Sequence, residues 1–406
     1  MPPVPTSRRL VLGLIVTGSL ASCRQREQVR PDRPAMATDA SMDGSADAPK
    51  DAPGAVFHVA EQVSTASRHT CALTKAGRVL CWGSNSFAEL GDGSSKDRDG
   101  AVTVLASGAV AIAAADHSCL IKTDGSVWCW GSNNNGELGD GTTERTLEPV
   151  RAGLTKAATA IAVGFGYTCV LVDGGVQCWG NNNEGQLGNG TNVDSLTPVG
   201  VLGLSSGVVS LATGGRHTCA RTTTGAVLCW GANASGSLGD GSTSHRNRPV
   251  TALTADVATI AAFQSTTCAV LTSGTAKCWG AWRGDSLSRP TIVAELPAGG
   301  VSSIVSGGDR TCAVLVDGHG VCWGANKEGL VGDGTTVDRL KPVAPVGLPK
   351  VRAFVLGGNH TCALTTTGGI RCWGINRVSQ LGDSTTTDRT APVVVVGFAG
   401  VHDGGT

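Results

Sequence analysis

The sequence predicts an all-β chain folded as a seven-bladed β-propeller with four-stranded blades. Three observations predict it. A cysteine pair recurs seven times: Cys71 with Cys81, Cys119 with Cys129, Cys169 with Cys178, Cys219 with Cys229, Cys268 with Cys278, Cys312 with Cys322, and Cys362 with Cys372. A Trp-Gly follows the second cysteine each time, at Trp82, Trp130, Trp179, Trp230, Trp279, Trp323 and Trp373. Successive first cysteines lie 48, 50, 50, 49, 44 and 50 residues apart, a fixed period of the size that marks repeat architectures. Each unit holds four short apolar segments between turn residues and no sustained helical period, which reads as one four-stranded blade. In the third unit these segments begin at Val150, Ile161, Cys169 and Gly175.

The chain begins with a targeting pattern. Ser7-Arg8-Arg9 precedes an apolar run from Leu10 to Leu20, too short to span a bilayer and suited to a signal peptide over residues 1–22. Leu20-Ala21-Ser22-Cys23 resembles the lipobox of bacterial lipoproteins, which makes Cys23 the expected lipidated N-terminus after cleavage. Cysteine parity agrees: fifteen cysteines are seven pairs and Cys23. Ser7-Arg8-Arg9-Leu10-Val11-Leu12 also looks like a twin-arginine signal, so both the general secretory and the twin-arginine routes stay open. Arg24 after the cysteine favours the outer membrane by the sorting rule of lipoproteins. The remainder of 23–55 is rich in Pro, Asp, Ala and Arg and too poor in large apolar residues to fold, so it is expected to be a disordered linker. The propeller is expected over 56–406.

Within a unit the cysteines set the register. Cys71 opposite Cys81 puts Leu73 opposite Val79 and Ala72 opposite Leu80. Side chains alternate along a strand, so the cysteines, Leu73 and Val79 share one face, and Ala72, Leu80 and Trp82 the other. Both faces are apolar and both must be covered. Gly77 suits a three-residue loop with a left-handed last residue. The third unit is one residue shorter between its cysteines and carries Asp173-Gly174, a two-residue turn signal, which keeps Cys169 opposite Cys178. Directly opposed residues at about 4.5 Å are within disulfide reach, so one bridge per hairpin is expected. The alternatives are pairs of small buried thiols, or zinc, which two cysteines per hairpin serve poorly.

A Pro-Val or related pair begins a strand after each hairpin, at Val102, Pro149, Pro198, Pro249, Pro290, Pro342 and Pro392. The last has no hairpin after it, and the first hairpin has none before it. Pro392 to Val396 is therefore expected to complete the first blade, with Val56 to Val59 competing for that edge.

The pattern Gly-x-x-His-Thr-x-Ala-Leu, then Gly-x-Val-x-x-Trp-Gly-x-Asn-x-x-Gly-x-Leu-Gly-Asp-Gly-Thr, resembles the regulator of chromosome condensation repeat, with Asn133 to Thr142 a close match. The resemblance covers most of the chain and implies a seven-bladed propeller. The family's eukaryotic namesake is a nucleotide exchange factor that binds chromatin. A bacterial-type lipobox argues against that setting, and short blades leave no room for an inserted wedge. A secreted relative inhibits β-lactamases by docking one propeller rim, and other relatives are interaction scaffolds. The fifth unit departs from the pattern, with Gln264-Ser265-Thr266-Thr267 for Gly-x-x-His and Gly280-Ala281-Trp282-Arg283 where six units have Gly-x-Asn.

Three features invite chemistry, and each has a plainer reading. His69, His117, His217 and His360 stand at equivalent places, but Tyr167, Thr266 and Arg310 fill that place elsewhere, which favours structural hydrogen bonding over a metal ring. Asp92, Asp140, Asp240 and Asp333 lie in Gly-Asp-Gly loops without the ligand spacing of a calcium loop, so they read as turn residues. Gly203-Leu204-Ser205-Ser206-Gly207 matches a nucleophile elbow, which needs a strand-to-helix turn that this fold does not supply. No catalytic residue, cofactor or metal is expected.

Lys and Arg number 32, as do Asp and Glu, so nothing suggests an electrostatic nucleic-acid surface. The expected function is an envelope-anchored, non-catalytic protein-binding or scaffold module, monomeric, with an unidentified envelope protein or ligand as partner and the membrane reached through its lipid. The alternative is an envelope enzyme or enzyme inhibitor working through one rim or the central channel. The rim residues that break the repeat are Phe87, Trp282, Arg283, Lys327 and Arg377. Trp and Arg are common interface anchors. Trp282 either anchors a partner or packs into the gap left by the shortened fifth loop.

Overall fold

A computed structural model describes residues 57–297, 300–307 and 309–398. The expected signal peptide, Cys23 and the linker lie outside the described residues. Seven antiparallel four-stranded sheets span 60–105, 109–151, 158–200, 208–253, 257–292, 301–343 and 351–394. In the first blade the strands are Ala60–Thr65, His69–Thr74, Val79–Gly83 and Arg98–Leu105, hydrogen-bonded in that order. First strands of neighbouring blades touch all round the ring, the seventh blade meeting the first, so they lie innermost. Fourth strands alternate between half-buried and exposed residues and form the outer edge.

The hairpin register is the expected one. Cys71 pairs with Cys81, Ala72 with Leu80 and Leu73 with Val79, and in the shorter third unit Cys169 pairs with Cys178. Asp173 and Gly174 are both left-handed, at φ 52° and 73°, as a two-residue hairpin turn requires. All seven cysteine pairs form disulfides within their own hairpins. Cys71 is bonded to Cys81, Cys119 to Cys129, Cys169 to Cys178 and Cys219 to Cys229. Cys268 is bonded to Cys278, Cys312 to Cys322 and Cys362 to Cys372, and every bridge has its Cα atoms 4.1 Å apart. Neither free thiol pairs nor zinc sites remain at these positions.

The two apolar faces of each hairpin enter two different cores. Cys71, Leu73, Val79 and Cys81 pack with Ile112, Leu120 and Trp130 of the second blade. Ala72, Leu80 and Trp82 pack with Cys362, Leu364 and Cys372 of the seventh. The rule holds around the ring, because each disulfide shares a cluster with the Trp-Gly tryptophan of the next blade. Cys119 and Cys129 pack with Trp179, Cys219 and Cys229 with Trp279, Cys268 and Cys278 with Trp323, and Cys312 and Cys322 with Trp373. The core is thus seven layers between blades. A single blade buries neither face alone.

The outer strands correct the expected phase. The Pro-Val strand pairs with the hairpin that precedes it, Cys178 with Val199 in the third blade and Cys372 with Val393 in the seventh. Pro392 therefore belongs to the seventh blade, in strand Arg389–Val394, and does not complete the first. Val150 likewise closes the second blade, and the third begins at Ala158–Gly164. The reason is the loop after Trp-Gly, which turns the chain back along the outer edge of the hairpin it has just left. The first blade already holds its innermost strand, Ala60–Thr65. No strand is exchanged at ring closure. The seam is held by His58 N–H donating to Gly397 O at 2.7 Å and by Phe398, which is buried against Trp82 at 5.8 Å between ring centroids.

Candidate functional site: the clasp face

The two ends of the propeller differ. One carries the tight turns between second and third strands, such as Gly77 and Asp173-Gly174. The other, here the clasp face, carries the turns between first and second strands and the long loops after Trp-Gly.

Each long loop is built around one asparagine. Asn85 Nδ2 donates to Asp92 Oδ1 and to the Ser94 carbonyl, while its Oδ1 accepts from Leu90 N–H. Asn133, Asn182, Asn233, Asn326 and Asn376 repeat the arrangement. Asp92 also accepts from Ser94 N–H and hydroxyl and pairs with Arg98. Asp240 and Asp333 do the same with Arg246 and Arg339, and Asp140 accepts from Thr142. The loop aspartates are turn residues, saturated by donors. Residues 203–207 lie in a connection between strands and form no strand-to-helix turn.

The four histidines are clasps between blades. His69 Nε2 meets Ser118 Oγ, His117 meets Thr168, His217 meets Thr267, and His360 closes the ring on Thr70 at 2.8 Å. The tautomer follows from the partner. Thr168 donates its hydroxyl proton to the Glu137 carbonyl, so His117 must donate from Nε2. Its Nδ1 then carries a lone pair, which fits that atom's being buried without a partner. Burial holds the imidazoles neutral: it takes His117 and His217 down to about 4 and His69 and His360 to about 3. Where histidine is replaced, Tyr167 donates to His217 O and accepts from Thr218, and Arg310 donates to Thr361 and His360 O.

A second bolt uses the same loop carbonyl. Trp130 Nε1 and Ser118 Oγ both donate to Glu89 O, at 2.9 Å each. Trp179, Trp230, Trp279, Trp373 and Trp82 donate to the corresponding loop carbonyls of Glu137, Gln186, Ser237, Leu330 and Gln380.

The fifth blade lacks the loop that would offer this carbonyl. Its third strand, Ala276–Trp282, turns tightly through Arg283 and Gly284, both left-handed, into Asp285–Ile292. Trp323 Nε1 of the sixth blade is consequently buried with no partner. Trp282 fills the gap: 6% exposed, it packs with Trp323 and donates to Thr311. Of its two expected roles the structure chooses packing, and Trp282 is not a rim anchor. Arg283 is also engaged, by Glu295 and by Leu340 O. Phe87, Lys327 and Arg377 do lie exposed on the clasp face, each one or two residues past the loop asparagine of its own blade.

The clasp face also holds a feature the sequence reading missed. A hollow of about 870 Å³ is lined by the turns before the second strands of blades 2 to 5, with Asp116, Phe165, Arg216 and Gln264, and by loop residues including Asn135, Glu137 and Asn181. Four of these fill the variable places just before the histidine position. Their variation beside fixed neighbours was the available signal.

The family model for the Regulator of chromosome condensation (RCC1) repeat matches residues 124–171, 173–221 and 317–364, and a second model of that repeat matches 61–89, 158–186, 208–237 and 351–380. Neither reaches the fifth blade. Among solved structures, the chain is similar to Prp20p from Saccharomyces cerevisiae, described with its binding to Gsp1p and histones. The TM-score is 0.69 at 21% identity, over 80% of this chain and 87% of that one. Human WBSCR16 gives a TM-score of 0.70 at 23% identity, over 79% and 94%. The complex of Kap60 with yeast RCC1 (Prp20) gives 0.68 at 21%, over 89% and 90%. A comparison with curated proteins finds no match.

Proposed function

The chain belongs to the regulator of chromosome condensation (RCC1) repeat family, and from that premise we propose that it is a non-catalytic protein-binding module, carried on an envelope lipoprotein anchored through Cys23. The observation that carries the binding reading is the difference between the two ends of the ring. The clasp face alone combines long ordered loops, exposed Phe87, Lys327 and Arg377, and a large polar hollow. Its histidines are committed to clasping neighbouring blades, and its loop aspartates to pairing within their own loops. Binding to protein partners by the yeast relative agrees with this at the level of class. The Leu-Ala-Ser-Cys lipobox supports the anchor.

The test is affinity capture from the envelope of the producing cell with three baits. These are the native protein, a clasp-face variant (Phe87→Ala with Arg377→Ala) and an opposite-end variant at exposed Val316 (Val316→Ser). A partner kept by the third bait and lost by the second supports the reading. A partner held equally by all three, or none at all, overturns it. Mass spectrometry of the mature N-terminus should show an acylated Cys23.

A further inference from the structure

The charges around the hollow are unevenly matched. Glu137 is buried and doubly hydrogen-bonded, accepting from Ser132 Oγ at 2.9 Å and from Asn135 N–H at 2.7 Å. Arg216 lies 3.6 Å from Glu184 and is already paired. Asp116 is partly buried, and among the described residues no donor or cation meets its carboxylate. A carboxylate so placed loses water without gaining a partner, which is costly unless something arrives to pair with it. Phe165, in the next blade, supplies the only phenyl ring of the lining. It is half-buried and its ring rests on Gly215, where a Cβ would stand 2.7 Å from it. An aromatic wall and a negative charge lining one hollow suit a side chain with an apolar stem and a cationic end.

We propose that this hollow receives a basic side chain, a lysine or arginine presented by the protein partner, with its charged end against Asp116 and its stem along Phe165. The proposal rests on the reading of the clasp face as a protein-binding surface and names the chemistry that surface selects. Glu137 adds a second negative charge without being free to move, and the paired Arg216 does not cancel the field. The partner's charge completes a site that the fold leaves one ion short. Burial, and after it the charge of Glu137, holds the Asp116 carboxyl up at about 6, as fits a carboxylate with no cation beside it.

The probe is the peptide acetyl-Gly-Lys-Gly-amide, titrated into the native protein while the backbone amide signals of Phe165, Gly166 and Gly215 are followed. Those signals should move and saturate. Asp116→Asn should weaken binding tenfold or more, as should acetylation of the peptide's lysine, and Phe165→Ala should weaken it several-fold. Asp116→Asn removes an unpaired charge, so it should melt no lower than the native protein, which is checked alongside. Equal affinity for native protein and Asp116→Asn, equal affinity for the acetylated peptide, or no movement of these signals overturns the proposal. The two readings fail separately. A captured partner lost by the clasp-face variant, with a hollow indifferent to lysine, keeps the module and removes this site. Lysine binding with no captured partner does the reverse.

Discussion

Trp282 donates its indole N–H to the Thr311 hydroxyl at 3.4 Å, across the joint between the fifth and sixth blades. Every other joint is bolted by a tryptophan of the later blade reaching back to a loop carbonyl of the earlier one. Here the earlier blade supplies the tryptophan. Truncating Trp282 to Ala removes a large buried ring and the replacement bolt together. The expected cost is about 3–5 kcal/mol, the range for buried aromatic truncation. Denaturant unfolding checks it, and Arg283→Ala, at a half-exposed pair, should lie well below it.

Tryptophans at the same repeat position should not be equal. Trp130→Phe loses a buried hydrogen bond to Glu89 O, whereas Trp323→Phe loses none. Both lose similar ring area. Trp130→Phe should therefore cost more, by about 1 kcal/mol. Equal midpoints in denaturant would show that the indole N–H bond adds nothing at these joints.

Acid should weaken the ring. His69, His117, His217 and His360 have folded pKa values depressed to about 3–4. The stability they contribute is present above their unfolded value and is lost as pH falls from there toward the folded values. Burial raises Glu89 to about 7 and Asp116 to about 6, and these two work in the opposite sense, favouring the fold as pH falls. Four imidazoles outnumber two carboxyls. Melting temperature should therefore fall between about pH 7 and about pH 5. His117→Gln should flatten the slope.

The disulfide sulfurs should be out of reach of reductant in the folded protein. All fourteen paired cysteines are at most 1% exposed. Without denaturant, dithiothreitol followed by alkylation should label almost none of them; with denaturant it should label them all. Peptide mapping should find seven bridges, each within one hairpin, and bridges joining different blades would contradict the fold. Replacing Cys71 and Cys81 with Ala should cost about 2–4 kcal/mol.

Local chemistry wrote the hairpins into the sequence, and so they were readable. The cysteines fix a register, and the one-residue deletion in the third unit is matched by Asp173-Gly174. The alternation that separates Leu73 from Ala72 already assigns them to different cores. What the sequence hid is long-range. Pro392 looks the same whether its strand pairs backward or forward, and only the path of the loop decides. Trp282 reads as a rim anchor or as core with equal ease, because the missing loop that makes room for it belongs to a contact between blades. Asp116, Phe165 and Arg216 lie about fifty residues apart in turn and show no motif. The side-by-side packing of blades two to four gathers them, within a ring that the meeting of blades seven and one closes.

That closure has an evolutionary and practical side. Blade seven meets blade one through His360–Thr70 and Trp82–Gln380, the same kinds of contact that join other blades. His58 and Gly397 already share a hydrogen bond, so a few residues would splice them. New ends opened at another connection between blades would yield a circular permutant with every joint intact. By the same logic, a whole unit is the natural quantum of duplication or loss, since no blade borrows a strand from another.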